Sequence, residues 1–185
     1  MRVFSPDAGL TGCNSTERKP ASSLPKDKDG CWFEDYASGD IYEFGPVVVE
    51  EAEILDFGRR YDPQPFHTDP AIGAESPFGG LAASGWHICA IMTRMLVEGL
   101  VSRLASLGSP GMEQIRWVRP VRPGDALRCR LEITSSRRSQ SRPDRGIISM
   151  AITMLNQNGD VVMTCAGAGL FRVRPLQPVR NIEAI

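Results

Sequence analysis

The order of hydrophobic and polar positions divides the chain into three parts. Residues 1–30 are polar, charged and rich in turn-forming residues, with almost nothing to bury. Residues 41–100 carry a short β-branched run and then apolar residues at helical spacing, and residues 112–173 carry β-rich runs separated by turns. This pattern predicts a disordered or loosely attached arm over residues 1–30 and a single α+β domain over residues 31–185. A vector remnant or a misassigned start is the alternative interpretation of the arm.

Three helices are predicted in the middle part. Between Glu50 and Arg60 apolar residues recur at helical spacing, and acidic residues occupy the first turn, where the helix dipole favours them. Asp69 before a proline is typical of an N-cap, which favours a short helix over residues 71–74. The segment Leu81–Leu100 is apolar on nearly all faces, and this pattern predicts a long helix buried at the centre of the domain. Its largest side chains are expected in the core by default: Trp86, Met92 and Met95.

The predicted strands are enough for one sheet. A short strand is expected over Ile41–Val49, before the helices. Four more are expected after them, over residues 112–121, 126–135, 146–155 and 161–173. The pair Asn158-Gly159 is a strong signal for a hairpin between the last two. We therefore expect the four later strands to form an antiparallel meander, and a sheet of about five strands to wrap around the central helix.

Composition and charge narrow the possible functions. A formal net charge of −1 over 185 residues argues against a general nucleic-acid binder, which would usually be strongly basic. No apolar run reaches the roughly 18 residues needed to span a bilayer, so no membrane segment is expected. The chain has five cysteines, an odd number, and they are widely spaced. This pattern favours reduced thiols in a cytoplasmic protein. It also leaves no clustered ligands for a zinc site.

The segment Tyr61–Pro70 carries the candidate chemistry. Pro63 and Pro65 each fix φ, remove a backbone donor and push the preceding residue towards an extended conformation. The segment is therefore expected to be a rigid extended turn rather than a continuous helix. Such a turn would hold Asp62 and His67, an acid and an imidazole five residues apart, in fixed positions for proton transfer.

In the order and spacing of three motifs the chain resembles the MaoC-like hydratase/dehydratase family, which has the hotdog fold. Asp62–Asp69 is similar to that family's Asp-x-Asn-Pro-x-His-x-Asp signature, and Phe78–Gly85 is similar to the glycine-containing segment that leads into its central helix. Val118–Asp125 resembles the family's first strand after that helix. Two departures, Gln64 for the usual Asn and Ser84 for the frequent His, suggest a branch of the family with a different substrate.

The resemblance implies reversible syn addition of water to a trans-2-enoyl thioester, giving a (3R)-hydroxyacyl thioester. It makes Asp62 the general base and His67 its acid/base partner. The backbone N–H of Gly85 would donate to the enolate oxygen, with Gly80 as the second choice. Substrate-binding positions are expected at six residues: Gln64, Phe66, Phe78, Gly80, Ser84 and Trp86. The resemblance also implies a coenzyme A thioester as the substrate, no cofactor and no metal, and a homodimer or an assembly of dimers.

Several assignments stay open in the sequence alone. It does not show whether Asp62 or His67 carries the proton, because burial raises the pKa of an Asp while a nearby imidazolium lowers it. His87 belongs either to the core or to the pocket wall, and Asp69 is better explained as an N-cap than as a catalyst. Five arginines either meet the phosphates of coenzyme A or form a solvated face: Arg59, Arg60, Arg116, Arg119 and Arg122. The rival functions are a hotdog thioesterase and a non-catalytic acyl-CoA-binding subunit.

Overall fold

The structure, a computed structural model, describes residues 28–175. The arm predicted over residues 1–30 lies outside the described residues as far as position 27, and so do residues 176–185 at the end of the predicted domain. Lys28–Gly30 forms a 3-10 turn, and Lys28 Nζ donates to the Val101 carbonyl at 3.3 Å. These three residues therefore pack on the domain.

Five antiparallel strands form one sheet in the order β1-β3-β4-β5-β2. Their bounds are Ile41–Val48 for β1, Gly111–Trp117 for β2, Ala126–Arg138 for β3, Arg145–Leu155 for β4 and Val161–Arg172 for β5. The inward side chains of the sheet form one hydrophobic core with the helix that was predicted to be central. The predicted α+β class and hotdog architecture are confirmed.

The predicted meander of four strands is wrong for β2. This strand does not pair with β3, its neighbour in sequence, but with β5, and it forms the edge of the sheet opposite β1. Only β3, β4 and β5 follow one another, and a turn at Asn158-Gly159 joins the last two. β2 also ends at Trp117 rather than Val121, because Pro120 has no backbone N–H to continue the ladder. Residues 118–125 were likened to the first strand that follows the central helix in the family. In the structure they form the loop that leads from β2 to β3.

Four helices lie between β1 and β2. They are α1 Glu51–Tyr61, α2 Pro65–Thr68, α3 Pro70–Glu75 and α4 Gly85–Gly99. The prediction of an extended turn is wrong for residues 65–68, which form α2. Pro65 occupies the first position of this helix, where a backbone N–H has no partner inside the helix and none is needed. α4 begins at Gly85 rather than Leu81, because Ser84 is its N-cap and accepts from the Trp86 N–H at 3.2 Å.

One side of α4 packs against the sheet, and the other side is open. Ile88, Met92 and Met95 are buried, as expected for the two methionines. The prediction that α4 is buried on all faces is wrong, since Trp86 is 56% exposed and Val97 is 51% exposed. The expected core position of Trp86 is wrong for the same reason. A sheet covers a helix from one side, so apolar residues on the far side of α4 remain uncovered in a single chain.

Three expectations drawn from composition concern membrane spans, metal sites and cysteines, and each can be compared with residues 28–175. No helix in this part of the chain is both long and apolar enough to cross a membrane. Within the same range, no group of three or more His, Cys, Asp or Glu side chains is arranged to hold a metal ion. The cysteines in this range are free thiols: Cys31, Cys89, Cys129 and Cys165.

Candidate active site

Asp62 directly follows α1, and two side chains hold its carboxylate. Gln64 Nε2 donates to Oδ1 at 2.8 Å, and Ser84 Oγ donates to Oδ2 at 2.7 Å. The Asp62 N–H donates to the Gly58 carbonyl at 3.0 Å, which ends α1 at this point. Because Ser84 is also the N-cap of α4, a single hydroxyl joins the end of α1 to the beginning of α4. Each carboxylate oxygen of Asp62 therefore has a fixed partner.

His67 lies in α2, and the main chain fixes its imidazole. Nδ1 is 2.6 Å from the carbonyl oxygen of Ala82. A carbonyl oxygen only accepts hydrogen bonds, so Nδ1 carries a proton and Nε2 of the neutral ring keeps a lone pair. Nε2 lies 3.4 Å from Asp62 Oδ2. The pair comes together because α1 approaches α2 closely: a Cβ at Gly58 would be 2.6 Å from the His67 carbonyl oxygen, so only glycine fits there.

The surroundings of Asp62 favour its ionised form. Burial by itself raises the pKa of this carboxyl, but the hydrogen bonds from Gln64 and Ser84, together with the positive charge that His67 carries when it is protonated, hold the pKa below its ordinary value of 3.8. Asp62 is therefore a carboxylate at neutral pH and accepts hydrogen bonds. It faces a ring nitrogen that accepts when neutral and donates when protonated.

The two side chains lie in the wall of a cavity of about 450 Å³. The remaining walls come from α2, from the loop before α4, from the first turn of α4, and from the end of β2 with the loop that follows it. Beside the dyad, the lining residues are Gln64, Phe66, Phe78, Ala82, Ala83, Gly85, Trp86, Ile88, Trp117, Val118, Arg119 and Pro120. Two proton-transfer groups thus open onto a largely apolar space.

Most of the predicted site residues meet at this cavity: Asp62, Gln64, Phe66, His67, Phe78, Gly85 and Trp86. The structure does not bring Gly80 and Ser84 into its wall. The Gly80 N–H donates to the Gly73 carbonyl at 2.8 Å, so the expectation of Gly80 as a second donor to an enolate is wrong. Ser84 is 1% exposed, and its hydroxyl donates to Asp62.

Gly85 supplies the first N–H of α4, and it lies in the cavity wall. Among the residues that the structure describes, none accepts a hydrogen bond from this N–H. The first amides of a helix have no partner inside the helix, and the helix dipole makes them favourable sites for negative charge. Gly85 therefore remains the candidate donor to an oxyanion formed in the cavity.

The sequence analysis missed the wall formed by residues 117–120, which it placed inside a strand. A signal was present, because Pro120 within a predicted strand indicates the end of that strand or a position at the sheet edge. The geometry shows the consequence: the regular strand ends at Trp117, the N–H groups of Val118 and Arg119 still donate to the Val162 carbonyl of β5, and residues 117–120 line the cavity.

The five arginines considered for phosphate binding have different positions. Arg119 lies in the cavity wall, 3.7 Å from Asp160. Arg122 donates to the carbonyls of Phe78 and Leu81, so it holds the loop before α4. Three others do not line the cavity: Arg59, Arg60 and Arg116. Of the five, only Arg119 is placed to meet a ligand in the cavity.

Two titratable residues near the site have structural roles. His87 is 7% exposed, does not line the cavity, and stacks on Phe57 with ring centroids 4.9 Å apart. Burial lowers the pKa of His87, although the charge of Glu53 acts in the opposite direction, so the ring is neutral at neutral pH. Asp69 caps α3, since its carboxylate accepts from two N–H groups of the first turn.

Comparison with known proteins adds a family match and several similar structures. Residues 36–179 match the family model described as MaoC like domain. The MaoC-like dehydratase from Rhodospirillum rubrum has a TM-score of 0.74 at 41% identity, over 80% of this chain and 100% of that one. The R-hydratase PhaJ1 from Pseudomonas aeruginosa, unliganded, has the same fold, with a TM-score of 0.64 at 22% identity over 83% and 96%. Protein YdeM of Bacillus subtilis is 23% identical over 125 residues, 68% of this chain and 87% of that protein.

Proposed function

This chain belongs to the MaoC-like domain family, and from that premise we propose that it adds water reversibly to a trans-2-enoyl thioester, giving a (3R)-hydroxyacyl thioester. The similar structures named above are a dehydratase and an R-hydratase. One observation carries the proposal: His67 Nε2 and Asp62 Oδ2 are 3.4 Å apart in the wall of a cavity of about 450 Å³.

The dyad of Asp62 and His67 activates a water molecule. The water donates its hydrogens to Oδ2 and Nε2 and presents an oxygen lone pair to the β-carbon of the enoyl group. As the O–C bond forms, the π electrons move onto the thioester oxygen and one water proton passes to the dyad. The dyad then gives a proton to the α-carbon on the same face, and the enolate returns to a thioester. Water is consumed, the addition is syn, and the dyad regains its first state.

The Gly85 N–H stabilises the enolate that forms between these two steps. It lies at the positive end of the α4 dipole and has no acceptor among the described residues. A fixed donor of this kind contributes a factor of roughly 10²–10³ to the rate in other enzymes. Its value lies in orientation, since a backbone amide at the end of a helix does not reorganise during the reaction.

We assign a coenzyme A thioester as the substrate and no cofactor. The assignment is supported by Arg119, whose planar guanidinium suits phosphate oxygens and whose side chain is 58% exposed at the cavity wall. Its pairing with Asp160 is a long, exposed one at 3.7 Å, and a phosphate group can compete with such a contact.

The proposal is tested by removing each proton-transfer group in turn. Asp62→Asn keeps the shape of the carboxylate but removes its charge, and His67→Ala removes the lone pair at Nε2. We expect each change to lower kcat/KM for crotonyl-CoA hydration by at least ~10²-fold. Loss of enoyl absorbance in the ultraviolet measures the reaction, and circular dichroism checks that the fold is kept.

Asp69→Asn is the matched control, because it changes a nearby carboxylate that only caps α3. It should leave hydration nearly unchanged. Near-normal turnover by Asp62→Asn or His67→Ala would refute the assignment of the dyad. Release of free thiol without loss of the enoyl group would favour a thioesterase, and acyl-CoA binding without either reaction would favour a non-catalytic subunit.

We also propose that the protein forms a homodimer or an assembly of dimers. The support is the outer edge of β2, which pairs with no other described strand and whose residues are largely exposed. Three apolar side chains in or directly after this strand are partly exposed: Met112, Trp117 and Val118. An unpaired strand edge with exposed apolar side chains is a favourable surface for a second chain.

A further inference from the structure

Gly85 cannot fix the direction of its own N–H, because it has no side chain. Glycine gives the backbone more freedom than any other residue, and the ends of a helix fray first. Ser84, the N-cap of α4, holds the chain on one side of Gly85 through its hydrogen bond to Asp62. The N–H of Gly85 has no acceptor among the described residues. A donor that must point at one oxygen therefore needs support from outside its own helix.

The indole of Trp117, the last residue of β2, supplies such support. The ring lies where a Cβ of residue 85 would be, so any larger residue there would overlap it. The rings of Trp117 and Trp86 meet edge to face, with centroids 5.4 Å apart and planes at 75°. The indole N–H also donates to the Cys89 thiol. Although Trp117 is 46% exposed, its ring thus contacts α4 at residues 85, 86 and 89.

An irregularity in β2 turns this indole towards α4. Met112 pairs with Gly167 of β5, and Trp117 pairs with Met163, so a step of five residues on β2 matches a step of four on β5. β2 therefore contains one extra residue, at a point where Gln114 has a φ of 53°. In a regular strand, residues five apart point to opposite faces. The extra residue puts the Trp117 side chain on the same face as Met163, which is buried against α4.

We propose that Trp117 is a positioning residue for the oxyanion donor: its indole holds the first turn of α4 so that the Gly85 N–H stays directed at the thioester oxygen. The inference rests on the proposed hydratase function. Trp117 and Gly85 line the same cavity as the dyad, so the ring supports the amide where the reaction takes place. The hydrogen bonds that hold the dyad come from other residues. Trp117 thus acts on the enolate and not on the attacking water.

The first test separates catalysis from binding in the full-length protein. Trp117→Ala should lower kcat for crotonyl-CoA hydration by at least ~10-fold, because a displaced donor stabilises the enolate less. KM should change much less, since this interaction is made with charge that develops during the reaction. Trp117→Phe keeps a ring over Gly85 and should retain most of kcat. A loss that appears only in KM would make Trp117 a binding surface for the acyl group and would overturn the inference.

A double-mutant cycle tests the contact between the ring and residue 85. Gly85→Ala adds a methyl group in the space that the indole occupies, so it should lower kcat in the wild-type protein. In Trp117→Ala the methyl group has room, and the same substitution should lower kcat by a factor at least ~5-fold smaller. An equal effect of Gly85→Ala in both backgrounds overturns the inference.

Infrared spectroscopy measures the donor without any turnover. Butyryl-CoA has no double bond to hydrate, and an isotope label at its thioester carbonyl identifies the stretching band. The Gly85 N–H should move this band to lower frequency in the wild-type protein, and Trp117→Ala should lose most of that shift. An undiminished shift in Trp117→Ala, or no shift in the wild-type protein, overturns the inference. If hydration is absent while the shift is present, the proposed function fails and the shift still decides on Trp117.

Two controls exclude indirect effects. Met112→Ala removes a side chain from the same strand and face, outside the cavity with the dyad, and should leave kcat and the carbonyl band unchanged. Light scattering checks that each variant keeps the mass of the wild-type protein. A parallel loss of mass and kcat in Met112→Ala and Trp117→Ala would assign the effect to assembly and overturn the inference. If Trp117→Ala does not fold, Trp117→Val, which suits a strand, takes its place.

Discussion

At the scale of single residues, Ser84 links the helix to the dyad. Its hydroxyl donates to Asp62 Oδ2 at 2.7 Å and accepts from the Trp86 N–H at 3.2 Å. The same atom thus begins α4 and favours the ionised form of the carboxylate. The family resemblance drew attention to Ser84 only because it replaces a frequent His. Its use as a positioning residue follows from the contacts.

Ser84→Ala should change the pH dependence of hydration. Loss of a donor to the carboxylate raises the pKa of Asp62 towards its ordinary value, and the reaction needs the ionised form. The acidic limb of the kcat/KM profile should therefore move to higher pH. The change should also cost about 0.5–2 kcal/mol of stability, because α4 loses its N-cap.

Asp69→Ala is the matched control for that experiment, since it removes the N-cap of α3 and leaves the three neighbours of Asp62 in place. It should lower stability without moving the acidic limb. An acidic limb that stays in place in Ser84→Ala would contradict the role given to this hydroxyl.

At the scale of elements, the loop before α4 is held by a residue from the far side of the cavity. Arg122, in the loop between β2 and β3, donates to the carbonyls of Phe78 and Leu81. The next residue, Ala82, carries the carbonyl that orients His67. Arg122 therefore connects the loop after β2 to the orientation of the imidazole, through one short piece of main chain.

Arg122→Ala should loosen residues 78–83 and weaken hydration. Amide hydrogen exchange in this loop should become faster, because two carbonyls lose their donors. kcat should fall by ~10-fold or more, since small displacements of a catalytic group are costly. Arg60→Ala is the control: Arg60 forms an exposed pair with Asp56 and should affect neither measurement. Unchanged exchange in Arg122→Ala would refute the connection.

The sequence predicts structure well where the signal comes from residues that are close together in the chain. The spacing of Asp62 and His67 identified two groups that the fold does bring together. α2 was missed because Pro65 is read as a helix breaker, although proline is well suited to the first position of a helix. The open side of α4 was missed because apolar periodicity shows which residues avoid water and not which surface covers them.

At the scale of the whole molecule, strand order could not be predicted from the sequence. β2 pairs with β5 and becomes an edge strand, and this pairing depends on contacts between residues far apart in the chain. The wall formed by residues 117–120 was missed for the same reason, since its position follows from the place of β2. Fold class and the dyad were accessible from patterns, whereas the shape of the cavity required the topology.

The exposed edge of β2 gives a prediction for the assembly. Light scattering at micromolar concentration should give a mass of twice the 20.3 kDa chain, or an even multiple of it. Removing exposed apolar surface with Val118→Asp, on the residue after β2, should shift the mass towards that of one chain. The exposed Glu75→Gln on α3 is the control. A single-chain mass for the wild-type protein would contradict the proposed dimer.

The contact between His67 Nδ1 and the Ala82 carbonyl has a consequence for how this protein can change over time. The acceptor belongs to the main chain, and every amino acid carries the same carbonyl group. Replacing the side chain at position 82 therefore does not remove the acceptor group itself, so the tautomer of the imidazole does not depend on the identity of a second side chain. Insertions and deletions near residues 78–83 are more disruptive to this hydrogen bond, because they change the path of the main chain that carries the acceptor.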